Sequence, residues 1–334
     1  MRISVVVPVR NEEESVRALL DGLLGQTRKP DEIVMTDGGS TDATREIIEE
    51  YIDRGEPICL LREKMSLPGR GRNLAATRAS SEWIAFTDAG IRPANDWLAA
   101  LAERIEQEQT ADVVYGSWEP VTDSFFKECA AIAYVPPPSA TDGDYMRSRV
   151  IASAMMRRSV WQAVGGFPEH LRSAEDILFM DKVEEANFQT VYAPRALVHW
   201  NIQPTLWRTF KRFLSYSRHN LRAGLWKQWQ SAIFKRYALV LIFALPMLAF
   251  GGWRWWLGTT LALWLLLLAA RAVVSLRRNR LSYPAGVGRN ALRLLWLVPL
   301  LAVIDAAAFI GSLNWLIKDK LQRGDESAGS SDAA

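Results

Sequence analysis

The chain has 334 residues, 49% of them hydrophobic, which excludes a disordered or fibrous protein. Its formal charge of +3 comes from two unlike halves: residues 1–199 hold 22 basic and 32 acidic residues, and residues 200–334 hold 18 and 5. A single soluble body would mix the two signs, and two cysteines, Cys59 and Cys129, exclude a disulfide framework or a thiolate zinc site.

The apolar run at the N-terminus stops at Pro8 and is followed by Arg10, Asn11 and Glu12–Glu14. That is too short for a secretory core and reads as a buried first strand of a domain that begins in the cytosol. Strands are predicted over Ile3–Val9, Glu32–Thr36, Pro57–Arg62, Trp83–Thr87 and Asp112–Gly116. Helices are predicted over Glu12–Leu24, Thr41–Tyr51, Arg72–Ala79 and Asn95–Glu108. Regular alternation with continuous apolar strands implies an α/β, Rossmann-type parallel sheet covered by helices. Ligands of such sheets bind beyond the C-terminal strand ends, here Asn11–Glu13, Asp37–Asp42, Leu67–Asn73 and Asp88–Gly90.

No dinucleotide-binding glycine motif follows the first strand. Gly69-Arg70-Gly71-Arg72-Asn73 suits a diphosphate through backbone N–H groups and guanidinium charge, although a solvated basic turn has the same composition. Asp37, Ser40 and Thr41 suit either a ligand or a helix cap, and Glu175 and Asp176 either a site or a helix dipole. Ser117–Arg149 has weak periodicity and reads as a long mobile insertion, either a lid or acceptor loop or a plain excursion. Gly165-Gly166 marks a helix end and tight turn.

Beyond residue 203 the character changes. Residues 204–236 interleave Trp207, Phe210, Trp226 and Trp229 with Arg208, Lys211, Arg212 and Lys227. With apolar stretches following, this pattern fits helices lying on an anionic leaflet better than nucleic-acid binding. Spans are predicted at 237–253, 255–276 and 294–317, within a membrane region 237–317, followed by a polar tail, 318–334, expected to be disordered. Arg277, Arg278, Arg280, Arg289 and Arg293 form a basic loop between the second and third spans, which the positive-inside rule places in the cytosol with the N-terminal domain. The tail would then lie on the far side. Asp305 is costly in mid-span and fits a packing partner or a re-entrant segment.

Five motifs, in order, carry a resemblance: Val5-Val6-Val7-Pro8-Val9-Arg10-Asn11-Glu12, Asp37-Gly38-Gly39-Ser40-Thr41-Asp42, Phe86-Thr87-Asp88-Ala89-Gly90, Arg157 to Phe167, and Ala174-Glu175-Asp176. The first 200 residues resemble family-two glycosyltransferases of the GT-A, nucleotide-diphospho-sugar transferase-like fold. The resemblance implies that Pro8, Arg10, Asn11, Glu12 and Asp37 hold the base and ribose of a nucleotide sugar. It places Asp88 and Ala89 at the family's Asp-x-Asp element, which binds Mg²⁺ or Mn²⁺ and the diphosphate. His199 would complete the metal site, and Gly69, Arg70 and Arg72 would assist at the diphosphate. Asp176, with Glu175 beside it, matches the general base. The chemistry asks for the same groups, because inverting transfer needs a carboxylate to take the acceptor proton and cationic charge on the departing diphosphate. Gly90 and Gly38 stand where relatives carry a second acid.

The expected protein is therefore a membrane-anchored, inverting, non-processive glycosyltransferase of a bacterial inner membrane with a cytoplasmic catalytic domain, 1–203. Its partners are a UDP- or GDP-sugar and a lipid or membrane-embedded acceptor, and no nucleic acid. A Gln-x-x-Arg-Trp element, typical of processive relatives, is missing. The alternatives are a catalytically silent nucleotide-sugar-binding scaffold, suggested by Gly90, or a subunit of a processive polysaccharide synthase.

Overall fold

A computed structural model describes residues 1–141 and 144–321. The chain divides into two compact units, Met1–Val121 with Pro138–Asn201, and Thr122–Pro137 with the chain from Ile202 onward. Thr122–Pro137, inside the expected 1–203 region, thus falls in the second unit.

In the first unit the apolar run Ile3–Val9 forms strand β1, with β2 (Glu32–Asp37) and β4 (Trp83–Phe86) on either side. Both strand faces must be apolar for this position, and alternation sends Val5 and Val7 into one layer and Val6 into the other, all fully buried. Burying each valine contributes about 1.5–3 kcal/mol. The first layer is filled from α1 (Val16–Leu24), α2 (Thr44–Asp53) and α4 (Trp97–Gln107). The second is filled from α3 (Pro68–Arg78), α6 (Arg158–Ala163) and α7 (Glu175–Glu185). The remaining strands are β3 (Ile58–Arg62), β5 (Ile91–Pro93), β6 (Val113–Val121), β9 (Ala154–Arg157) and β10 (Thr190–Asn201). A separate hairpin joins β7 (Ser139–Thr141) to β8 (Asp144–Met146).

The sheet order is β3-β2-β1-β4-β9-β6-β10-β5. It is mixed, not parallel throughout: β9 runs antiparallel to β4 and β6, and β5 antiparallel to β10. A short strand buried on both faces has the same sequence pattern in either direction, so hydropathy could not reveal this. Strand β6 continues five residues past Gly116, where a Cβ would meet Ala196 O at 2.3 Å, so glycine permits close packing there and does not end the strand.

The expected mobile insertion is largely ordered. It contains the end of β6, helix α5 (Phe125–Tyr134) and the β7–β8 hairpin; Asp142 and Gly143 lie outside the described residues. Helix α5 is capped by Ser124, whose hydroxyl accepts from the Lys127 N–H.

The second unit continues with α8 (Leu206–Arg222), α9 (Trp226–Trp229), α10 (Ser231–Ala244), α11 (Pro246–Arg278) and α12 (Val287–Trp315). Gly252, with φ 74°, breaks α11 near its start. Among the described residues, three helical segments are long and apolar enough to cross a membrane: Ser231–Ala249, Gly251–Arg278 and Val287–Lys320. The first starts before residue 237, so it includes residues expected at the interface. Arg289 and Arg293 lie in α12, not in a loop, because Glu128 of α5 neutralises them. Residues 318–321, expected to open a disordered tail, belong to a π-helical turn, Leu316–Leu321, and the rest of the tail lies outside the described residues.

Candidate active site

The loops after β1 and β2 are laced together. Asn11 takes a left-handed backbone, φ 55°; its N–H donates to Ser40 Oγ at 2.9 Å, and its Oδ1 accepts the Thr41 N–H at 2.9 Å. The Glu12 N–H donates to Thr44 Oγ1 at 2.7 Å. Asp37 is 2% exposed, and its Oδ1 accepts both the Ser40 N–H at 3.0 Å and the Ser40 hydroxyl at 2.5 Å. Asp37 therefore shapes the loop, and Ala43 is the residue at the start of α2. Arg10 reaches Met65 Sδ at 3.6 Å. A Cβ on Gly38 would lie 2.7 Å from Ser66 O, which gives a steric reason for glycine where relatives carry an acid.

The glycine-rich basic segment is not a loop. Pro68 starts α3, and Gly69–Asn73 forms its first turns. Gly69 and Gly71 let this helix end approach its neighbours: a Cβ on Gly69 would sit 2.2 Å from Pro168 O, and one on Gly71 would sit 3.1 Å from Pro8 Cβ. Arg70 points to the surface, where it pairs with Glu63 at 2.9 Å and Glu169 at 3.1 Å. Arg72 points inward.

Arg72 is the centre of the charged cluster. Its Nη2 donates to Asp88 Oδ1 at 2.6 Å and its Nη1 to Glu175 Oε1 at 2.7 Å, and the guanidinium lies over the Phe167 ring. Burial opposes its charge, but Asp88, then Glu175 and Asp176, raise its pKa and keep it protonated. Arg72 and Glu175 are almost wholly buried, whereas the Asp88 side chain is 32% exposed. Asp176 retains accessible surface. Burial, then Glu175, pushes its carboxyl up to about 6, against the pull of Arg72. Glu175 and Asp176 open α7 behind Ala174, which is held at φ 70°, an uncommon conformation for a residue with a Cβ. Beneath them Phe167 stacks on Phe179 at 3.9 Å. The result is a partly exposed carboxylate, a buried cation and a carboxyl pushed up to about 6, brought together from the end of β4, the start of α3 and the start of α7. Such a carboxyl is suited to proton transfer.

His199 lies on β10 between Arg92 of β5 and Glu119 of β6. Burial, then Arg92, lowers its pKa, which favours the neutral imidazole. Among the described residues no three His, Cys, Asp or Glu side chains group as a metal site. A divalent ion here needs the oxygens of a bound diphosphate besides Asp88, a pattern Mg²⁺ accepts. The nearest acid to the missing Asp-x-Asp position is Glu12: its Oε2 lies 3.6 Å from where a Cβ on Gly90 would stand, and Gly90 itself takes φ 80°.

Sequence reasoning gave Asn73 no role of its own beyond the basic segment it ends. Its Oδ1 accepts from Phe167 N–H at 2.9 Å and from Trp161 Nε1 at 3.0 Å, and its Nδ2 donates to Phe167 O at 2.9 Å. It fixes the tight turn at Gly165 and Gly166, both at positive φ, that supports the ring under Arg72. Its place at the end of the Gly69–Asn73 segment was the sequence signal for it. Arg147, buried against Trp118 and paired with Glu119 at 2.8 Å, was also unmarked.

The family model described as Glycosyl transferase family 2 matches residues 4–162. Among curated relatives, the poly(ribitol-phosphate) beta-N-acetylglucosaminyltransferase TarS of Staphylococcus aureus is 31% identical over 195 residues, covering 54% of this chain and 32% of TarS. Glycosyltransferase AglE of Haloferax volcanii is 25% identical over 197 residues, covering 57% of this chain and 64% of AglE. The chain thus spans less than two thirds of these relatives. Among solved structures, the mannosyltransferase PcManGT from Pyrobaculum calidifontis, in complex with GDP-Man and Mn²⁺, aligns with a TM-score of 0.54 at 20% identity, covering 96% of this chain and 88% of that one. This likeness establishes the fold, that of GT-A glycosyltransferases.

Proposed function

We propose, from the premise that residues 4–162 form a glycosyl transferase family 2 domain, that the protein moves one sugar from a UDP- or GDP-sugar to a hydroxyl of a lipid or other membrane-embedded acceptor, with inversion. The observation that carries this reading is the Asp176 carboxyl, pushed up to about 6 beside the Arg72–Asp88–Glu175 cluster. As the acceptor oxygen bonds to the anomeric carbon, the bond from that carbon to the diphosphate breaks and Asp176 takes the acceptor proton. Arg72 supplies fixed positive charge near the departing diphosphate while holding Glu175 and Asp88 in place. The Pro8–Glu12 loop and the Asp37–Thr41 loop, tied to each other, form the expected seat for base and ribose.

Mg²⁺ or Mn²⁺, when bound, neutralises charge on the leaving diphosphate. Asp88 would hold the ion together with the diphosphate oxygens, and Glu12 and neutral His199 are the further donors this reading offers it. The apolar helical segments support membrane anchoring, and the basic residues near them support a cytoplasmic catalytic domain at a bacterial inner membrane. A membrane-held enzyme gains access to an acceptor confined to the bilayer, and the missing Gln-x-x-Arg-Trp element supports single transfers.

A thermal-shift panel tests the donor. UDP or GDP, but not both equally, is expected to raise the melting temperature of the purified full chain, more so with Mn²⁺. Asp88→Asn should remove the Mn²⁺ increment. No shift with any nucleoside diphosphate overturns the reading.

A further inference from the structure

The three apolar segments do not have equal surroundings. In the most apolar windows of Ser231–Ala249 and Gly251–Arg278, 11% of residues are buried; for Val287–Lys320 the share is 44%. The covering of α12 is one-sided. Arg293, Leu297, Leu301, Asp305, Ala308 and Gly311 face protein, while Leu292, Leu295, Ile310, Leu313 and Ile317 stay exposed at helical spacing along the opposite stripe.

The covering elements are a short helix, α5, and a charged helix, α8, each on short tethers. At one end of α12, Arg289 and Arg293 pair with Glu128 of α5, and Phe126 of α5 packs edge-on against Trp296. Towards the other end, the Ser217 hydroxyl of α8 donates to Ala308 O at 2.8 Å, and a Cβ on Gly311 would meet Leu214 O at 2.7 Å. Beyond it, Arg218 grips Asp319 through two bonds of 2.7 and 2.9 Å. Helix α5 begins a few residues after Val121 and the chain is back in the first unit at Pro138. Helix α8 is separated from Asn201 by four residues, a tether of on the order of 15 Å. It carries Arg208, Lys211, Arg212, Arg218 and Arg222, a load no hydrocarbon-crossing helix of this length tolerates. Both ends of α12 are therefore held by elements confined to one side.

Asp305 is not left bare on the covered face: it pairs with Arg271 and accepts from the Tyr237 hydroxyl at 2.9 Å, which itself accepts from Trp264 Nε1 at 2.9 Å.

We propose that α12 does not cross the bilayer. It lies along the membrane surface on the side that holds Val121 and Asn201, with its exposed leucine and isoleucine stripe in the lipid leaflet and its other face under α5 and α8. The bilayer is then crossed twice, by Ser231–Ala249 and Gly251–Arg278. Arg236, Arg277, Arg278 and Arg280 lie at the crossings' ends on the entry side, and Arg254 lies at the far turn. Asp305 then sits at the interface, where a carboxyl group paired with Arg271 and bonded to Tyr237 is tolerable. The inference rests on membrane anchoring but not on sugar transfer.

The test uses the full chain in sealed membrane vesicles of one orientation, with Cys59 and Cys129 replaced by serine. Single cysteines are placed at Lys320→Cys, at Glu106→Cys on the first unit and at Arg254→Cys on the turn, and all are exposed to a membrane-impermeant maleimide. Lys320→Cys should label together with Glu106→Cys, and Arg254→Cys only in vesicles of the opposite orientation. Labelling of Lys320→Cys with Arg254→Cys, or of all three from one side, overturns the proposal. Protease sensitivity of an epitope tag placed after Ala334 of the otherwise unaltered chain gives the same discrimination without cysteine substitutions.

Discussion

Replacing Arg72 with methionine keeps much of the stem's volume and removes the charge from the centre of the site. The Arg72 and Glu175 side chains are 4% and 5% exposed. Among the described residues, Arg72 is the one donor to Glu175 Oε1 and Oε2 has no hydrogen-bond partner, so without the guanidinium the buried carboxylate is left uncompensated. Removing one member of such a buried pair costs about 3–5 kcal/mol. Asp88 adds less, because it is partly exposed and water compensates its charge. Arg17→Met is the control: Arg17 and Glu50 are both near half-exposed, and no resolvable change is expected. Melting of the purified full chain, followed by intrinsic fluorescence, should show Arg72→Met well below both wild type and Arg17→Met. Arg72 also lowers the Asp176 pKa, so its loss should move the acid limb of turnover to higher pH. Adding Glu175→Gln should recover part of the lost stability, since the orphaned charge is removed. If Arg72→Met melts with Arg17→Met and keeps the wild-type acid limb, the buried-cluster reasoning is wrong.

Other substitutions test other parts of the structure. The folded Asp176 carboxyl is raised from the ordinary aspartate value of 3.8 to about 6; the unfavourable contribution is absent below about pH 4 and complete above about pH 6. Asp176→Asn should therefore stabilise the chain at pH 7–8 by on the order of 1–3 kcal/mol, with little gain at pH 4, while wild-type turnover falls as pH drops through about 6. Gly69→Ala should lower the melting temperature, because its Cβ would clash with Pro168 O. Gly22→Ala, inside α1 with nothing within 4 Å of the new Cβ, should stabilise by about 0.5–1 kcal/mol. Glu128→Gln leaves Arg293, 3% exposed, without its counter-charge, and should accelerate hydrogen exchange across α5 while leaving β1 unchanged.

The strands that carry Val5–Val7 and Ile33–Met35 were legible because continuous apolar runs between turn residues have few other destinies. Asp88, Glu175 and Asp176 were legible as acids just past strand ends or at a helix start. What escaped was whatever depends on distant partners. The direction of β9 is set by its neighbours, not by its own residues. Gly69-Arg70-Gly71-Arg72 looked like a phosphate loop because glycine that permits flexibility and glycine that permits close approach are the same letter; Pro168 and Pro8 decide between them. Arg289 and Arg293 read as loop charges because Glu128, over 160 residues away in sequence, makes them compatible with an apolar helix. Asp305 looked like a mid-span anomaly because its partners, Tyr237 and Arg271, lie on other helices.

Sugar transfer itself is tested most directly by donor turnover in lipid. The full chain, reconstituted in nanodiscs containing a total lipid extract, is supplied with radiolabelled UDP- and GDP-sugars, beside Asp176→Asn, and binding of the matching nucleoside diphosphate is measured on both. The wild type should move label from one donor into the lipid fraction and release the nucleoside diphosphate, while Asp176→Asn binds that product equally well but transfers nothing. Equal transfer by both proteins contradicts the role given to Asp176, and binding without transfer by the wild type across donors and lipid extracts contradicts the enzyme reading altogether.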